Sequence, residues 1–427
     1  MKILANLSGR EKTFLFVCFS YILFFGFPLF ADLTQIPPQF FCVCSIILLL
    51  LLYPNAFTSK ATKWFFIFIA ILLANVALGR HIHINGLSND TLPAMWRITI
   101  EVAWILPSIL MMSILQKLDN PNLYRAIGYG SVIILTISFL YILPLLMTYS
   151  NILRAALTEN NLEFTRPLGL PDYTLMHAYV LILPGLGMYM KKNVGYKKFI
   201  SFFLIVLFYY VITQTSISTS ITMGLLIVLF LIIHDDRNKQ KSMFWGLIAV
   251  FAFLAAYQMG LVLAFVDWVM PFFEGTAVSL KLNDVHDSIV NGAIQGGSFE
   301  GRASLHKLSQ MSFLENPIFG GGKAGGHSHV LDTLGTVGLV GFFPFFMTVW
   351  CIMRNYTNMV IKNDRIYMYL VFGISAVYLY NKGIFGSTGW LFMCVIAPSL
   401  VKAISNDRTL RMPNTQIYAR IDRLASE

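Results

Sequence analysis

Charge is scarce in this chain. Only 12% of its 427 residues are Asp, Glu, Lys or Arg, about half the share a soluble protein carries. Cysteine is scarce too. The five present (Cys18, Cys42, Cys44, Cys351 and Cys394) all fall in apolar runs, where they behave as small hydrophobes. They write no disulfide framework, and Cys42-x-Cys44 lacks the further ligands of a structural zinc site. The chain has no Walker motif, no paired metal carboxylates, no Ser/His/Asp spacing, no internal repeat and no heptad pattern. No small-x-small cleavage site follows the first apolar run, which therefore reads as an uncleaved helix.

Apolar sequence fills the space. The chain is 56% hydrophobic with a mean hydropathy of +0.67. A helix needs about 20 apolar residues to cross a bilayer, and twelve runs qualify: 13–30, 37–54, 64–79, 93–116, 124–148, 173–190, 198–214, 216–234, 243–268, 330–353, 365–381 and 384–403. Backbone groups in lipid must be satisfied within each segment, which makes these helices. The weak alternation of polar residues speaks against a β-barrel. The expected fold is all-α: a polytopic membrane protein of about 12 transmembrane helices, with 1–427 a single integral membrane domain.

The net charge of +10 reads as a topology signal rather than a nucleic-acid footprint. With the N-terminus inside, most Lys and Arg fall on the cytoplasmic side, as membrane proteins prefer. Both termini are then cytoplasmic, with 404–427 as a basic tail. Two long segments lie on the opposite face, 149–172 and the extracytoplasmic loop 269–329 between the ninth and tenth spans. Loops of such length in compact proteins are usually functional. Within the larger one, Leu305, Leu308 and Phe313 could give a helix over 304–314 one apolar side, and Asn316-Pro317 would end it.

The residues able to do chemistry concentrate there. Arginine suits bidentate phosphate binding, and Arg302, Arg166 and Arg154 sit in weakly charged outer segments. Their plain alternative is contact with lipid headgroups. Lys323 adds a point charge or is simply solvated. His327 and His329 stand at the entrance of the tenth span and His177 near that of the sixth; imidazole titrates near neutrality and can move protons or bind phosphate. Asp332 either orients a histidine or sugar hydroxyl or caps its helix. Arg97 and Glu101, four apart in the fourth span, read as an intrahelical pair or as the lining of a substrate route. Gly320, Gly322 and Gly325 match G-x-G-x-x-G, but no strand precedes them and no βαβ unit surrounds them. They read as backbone close to a bulky ligand or as a hinge.

The order Gly301-Arg302, then Asn316-Pro-Ile-Phe-Gly-Gly-Gly, then Gly326-His327-Ser-x-x-x-Asp332-x-Leu334-Gly-x-x-Gly338-Leu-x-Gly341 resembles the superfamily of O-antigen polymerases and O-antigen ligases. The motifs cover about forty residues, and the twelve-span layout with a late outer loop extends the likeness along the chain. The resemblance implies a metal-independent membrane glycosyltransferase without a cofactor, in a bacterial inner membrane with its site on the outer face. Its donor would be a glycan on undecaprenyl pyrophosphate. A polymerase passes the growing chain to the next lipid-linked repeat unit of an O-antigen, capsule or exopolysaccharide; a ligase passes it to lipid A core. Arg302 resembles the loop arginine that holds the pyrophosphate. His327 resembles the histidine that activates the acceptor hydroxyl or steadies the leaving group. Arg166, Arg154, Lys323, His329, Asp332 and His177 are the substrate-binding candidates. Partners would be lipid-linked oligosaccharides, membrane lipids, a chain-length regulator and a flippase, with no nucleic acid. Ligases carry an arginine after a Thr/Ser stretch at the end of the seventh span; here Thr213-Gln-Thr215 precedes Ser216, and Gly-His-Ser-x-x-x-Asp is the polymerase-like form. A lipid-linked oligosaccharide flippase or secondary transporter is the alternative of another class. It would be marked by inverted repeats and helices broken at mid-bilayer.

Overall fold

The computed structural model describes residues 6–78, 83–84, 104–149, 167–171, 173–214, 218–234, 259–274, 279, 282–283, 286–287, 290, 297–381 and 386–407, with side chains except at 76, 83–84, 173, 218, 273 and 297–302. Among them the chain is mostly helical. Four helices are long and apolar enough to cross a membrane: Pro121–Thr148, Tyr196–Gln214, His329–Met359 and Ser387–Ser405. Gly9–Gly26 and Pro28–Thr34 add a fifth if taken as one span, although they meet at a bend of 101°.

Among the described residues this is fewer than the twelve runs of the sequence: 93–103 and 243–258, parts of two of those runs, lie outside them, and elsewhere the reason is local. Pro28 opens a new helix after Phe27, which sits in extended backbone. The run 173–190 is split into Tyr173–Val180 and Leu183–Lys192, with Pro184 in the first turn of the second helix. Proline is tolerated there because that position's amide has no intrahelical partner anyway. Other runs form shorter apolar helices, Pro38–Leu52, Leu106–Leu118, Thr219–Ile233 and Leu261–Phe272. Arg97 and Glu101 lie outside the described residues, as do 408–427 of the expected tail.

In chain order the helices used below are α1 (Gly9–Gly26), α2 (Lys60–Ala77), α3 (Pro121–Thr148), α4 (Tyr173–Val180), α5 (Leu183–Lys192), α6 (Gly297–Glu315), α7 (His329–Met359), α8 (Arg365–Asn381), α9 (Ser387–Leu391) and α10 (Ala397–Ser405). A π-helical turn, Phe392–Ile396, joins α9 to α10. This last unit is the most enclosed of the four long helices, with 94% of the residues in an 18-residue stretch of it buried. Small residues permit that. A side chain on Gly128 of α3 would fall 2.8 Å from the Leu400 backbone, and one on Gly185 of α5 would fall 2.6 Å from the Leu400 side chain. Close packing of this kind holds helices together where the apolar solvent gives no hydrophobic drive.

Pro398 has no amide to offer the carbonyl four residues back, that of Cys394. The buried Tyr356 hydroxyl of α7 donates to that oxygen instead, at 2.6 Å. At one end of the bundle a second polar cluster ties three segments. Asp364 accepts from Lys192 at 2.6 Å and from the Ser405 hydroxyl at 2.7 Å, and Lys402 donates to the Met359 carbonyl at 2.6 Å.

Tyr356→Phe removes one hydroxyl and strands the Cys394 carbonyl in an apolar interior, a loss of about 1–3 kcal/mol. The variant should melt below the wild type in detergent; an unchanged melting temperature would mean the carbonyl has found another partner.

Candidate functional site

The site candidates sit where α6, the segment 316–328 and the start of α7 pack together. α6 stops at Glu315, and Asn316-Pro317 follows, since a residue before proline is pushed out of the helical region. Leu305, Leu308 and Phe313 are only half-buried on this helix, whereas Ser309 and Ser312 are fully buried. The buried side of α6 is therefore a seam of small polar residues, not the apolar stripe expected.

Those two serines do the same job in turn. The Ser309 hydroxyl donates to Asp332 Oδ1 at 2.6 Å and accepts the Gly325 amide at 2.9 Å. The Ser312 hydroxyl donates to the Gly335 carbonyl at 2.9 Å and accepts the Lys323 amide at 2.9 Å. Each thus joins the glycine segment to α7. Asp332 completes the joint, accepting from the Gly325 amide at 3.2 Å and, through Oδ2, from the Ser328 amide at 3.0 Å. Ser328 is the N-cap of α7, its hydroxyl accepting from Leu331 at 3.1 Å. The capping reading of Asp332 is thus the one its contacts fill.

α7 is broken. Gly338 has φ 60° and ψ −160°, a conformation close to glycine-only. Leu339 and Val340, which lose their normal acceptors at the break, donate to the carbonyls of Pro317 and Ile318 at 2.9 and 3.1 Å. In return the Gly335 carbonyl accepts the Gly322 amide at 3.0 Å. The approach is so close that a side chain on Gly338 would fall 2.4 Å from the Ile318 oxygen, one on Gly320 2.6 Å from Thr336, and one on Gly325 2.2 Å from the Leu305 oxygen. Gly320 and Gly325, two glycines of the G-x-G-x-x-G match, bring backbone against the protein's own backbone. That accounts for them without a bulky ligand or a hinge.

A two-residue parallel pairing adds a third strand of chain: His83–Ile84 lies beside Lys323–Ala324, with His83 in register with Lys323. Of the candidates, Lys323 is exposed and 3.8 Å from Glu315. His327 is exposed immediately before the N-cap of α7. Arg302 lies on α6, about two turns before Ser309, with its side chain outside the described residues. Leu305 and Gly325, which touch, stand three residues after Arg302 and two before His327. The stretches carrying both residues are therefore neighbours. Arg154, Arg166 and Ser216 lie outside the described residues.

His329 and His177 are core residues in this arrangement. His329 is 8% exposed with its ring 4.8 Å from that of Phe345. His177 is 3% exposed, its Nδ1 2.5 Å from the Ser220 hydroxyl and its ring 4.8 Å from Tyr378. It is nonetheless near the same end of the bundle, because Tyr380 on the same helix, α8, meets His306 of α6 at 6.0 Å. No protein-family model matches the chain, and no curated protein matches it significantly. Chemically, this end offers an exposed imidazole at His327 and an exposed ammonium at Lys323 that has Glu315 at 3.8 Å, while the α7 N-terminus is already met by Ser328 and Asp332.

Sequence reasoning passed over Ser309 and Ser312, and met Gly335 only as part of the motif Leu334-Gly-x-x-Gly338. The available signal was a pair of serines three apart on a short helix followed by glycines, a spacing that places both on one face.

Gly338→Ala forces a side chain into a backbone conformation costing about 1–3 kcal/mol and against the Ile318 oxygen, so its melting temperature should fall clearly. Gly373→Ala, with nothing within 4 Å, should leave it level or slightly raised. Equal behaviour of the two variants in a thermal-shift assay would contradict the packing described.

Proposed function

We propose that the chain is a polysaccharide polymerase, a membrane glycosyltransferase that moves a growing glycan from a polyprenyl pyrophosphate onto the next lipid-linked repeat unit. The observation that carries this reading is the contact between Leu305 and Gly325, which brings the stretches bearing Arg302 and His327 side by side. Further support comes from the lengths involved. From Leu339 onward α7 runs about 30 Å at its rise of 1.5 Å per residue, enough to cross the hydrocarbon core alone. The glycine segment then lies at the mouth of that span, where a lipid-linked pyrophosphate travels. The twelve-span topology, the large outer loop and the outward orientation belong to the same proposal, with lipid-linked oligosaccharides as substrates and a chain-length regulator and a flippase as partners.

In the reaction the acceptor hydroxyl oxygen attacks the anomeric carbon of the donor sugar. The bond from that carbon to the pyrophosphate oxygen breaks, and the carrier pyrophosphate leaves with the electron pair. The hydroxyl proton passes to a base. Cations that meet the leaving charge lower the barrier, and holding donor and acceptor together lowers it further. Arg302 and Lys323 supply charge in this scheme, and His327 either takes the proton or binds the leaving group. His177 and His329 are buried, and in this scheme they support the helix ends rather than meet substrate. A ligase would use the same chemistry with lipid A core as acceptor.

A transporter reading is favoured by the helix breaks between α4 and α5 and at Gly338 of α7, since discontinuous helices mark transport sites. Deleting the gene separates the readings. A lost polymerase leaves single repeat units on the cell surface, a lost ligase leaves long chains on the carrier lipid, and a lost flippase leaves units facing the cytoplasm. Complementation with Arg302→Ala or His327→Ala should restore membrane protein but cut polymer at least a hundredfold, a size expected when one charge-stabilising group is removed. Full-length polymer from both variants would refute the mechanism.

A further inference from the structure

At the far end of α7 from the glycine segment a cavity of about 710 Å³ opens between the first turns of α2 and the last turns of α7. Lys60, Lys63 and Arg354 converge on it, and its lining contains no acidic residue. Among the described residues none of these three cations takes part in an ion pair. All three are exposed, and no described acidic side chain pairs with them. The walls are of another character. Trp64 packs edge-on against Phe343 of α7 at 5.4 Å, while Trp350 and Ile67 are 44% and 45% exposed on the outside of the bundle. A tryptophan beside lysines and arginine at a helix end is the composition of a membrane interface.

We propose that this cavity binds the phosphate headgroup of an anionic bilayer phospholipid. The phosphate sits among Lys60, Lys63 and Arg354, and the acyl chains run along Ile67 and Trp350. Charge complementarity selects an anion over a zwitterion, because a choline or ethanolamine group would bring a fourth cation into a space with three and no acid. The exposed apolar wall selects a lipid over free phosphate. The Lys/Arg bias puts this end on the cytoplasmic side, where anionic lipids attract such clusters. The proposal makes no use of the glycosyl-transfer chemistry at the other end.

Native mass spectrometry on the full chain in detergent tests it, with phosphatidylglycerol, phosphatidylcholine of the same acyl chains, inorganic phosphate and undecaprenyl phosphate as probes. Wild-type protein should retain phosphatidylglycerol at least tenfold over phosphatidylcholine and should hold no inorganic phosphate. The triple variant Lys60→Ala/Lys63→Ala/Arg354→Ala should lose that preference, and Lys60→Arg/Lys63→Arg should keep it. Equal retention of the two phospholipids, or an undiminished preference in the triple variant, would overturn the proposal. Undecaprenyl phosphate displacing phosphatidylglycerol at equal concentration would also overturn it, by making the cavity a carrier-lipid site. Should the triple variant not fold, Arg354→Gln serves in its place: phosphatidylglycerol should raise the melting temperature of the wild type by several degrees and that of Arg354→Gln by less than half as much, and equal shifts would count against the assignment.

Discussion

A helix that breaks inside a membrane protein frees backbone amides and carbonyls that water cannot reach, and these must be met by other protein groups. At Gly338 that obligation is discharged by the segment from Pro317 to Gly322, which takes the Leu339 and Val340 amides and gives the Gly322 amide back to Gly335. The exchange requires three backbones within contact distance, so glycine is needed at 320, 325, 335 and 338. It also requires hydroxyls at Ser309 and Ser312, where a larger side chain would hold α6 away. Arg302, Lys323 and His327 all ride on segments fixed by this joint. Their mutual position follows from the break.

The same accounting recurs in the most enclosed of the long helices. Pro398 removes an amide, the π-helical turn adjusts the register before it, and Tyr356 of α7 fills the gap. α7 thus anchors both the candidate site and the most buried element. It pairs most extensively with α2, whose start lines the cation cavity and whose end leads toward His83 and the strand beside Lys323. One antiparallel helix pair therefore carries a cationic feature at each end.

Membrane character and helical class were legible because hydropathy reports them directly, and the end of α6 was legible because Asn316-Pro317 states it. The cluster at 301–341 was visible as an odd concentration of cations, histidines and glycines. What the sequence could not show was direction of contact. Glycines that spare space for a ligand and glycines that spare space for another strand of the same chain look alike, and contacts such as Leu305 against Gly325 and Thr336 against Gly320 separate them. Asp332 likewise offered two roles, and its choice depended on Ser309, 23 residues away. Four to five spans are seen among the described residues, and an apolar run gives no sign that it will be split as 173–190 is. His177 and His329 drew attention as outer-face histidines, yet each lies against an aromatic ring in the core.

The proposed function and the proposed lipid site together put the two cationic ends on opposite faces of a bilayer. The direct measurement is labelling by a membrane-impermeant maleimide of His327→Cys and Arg354→Cys, each in a background with the five native cysteines replaced. The account predicts that position 327 is labelled in spheroplasts with an intact cytoplasmic membrane and position 354 only after permeabilisation. Labelling of both from outside, or of 354 alone, would contradict it.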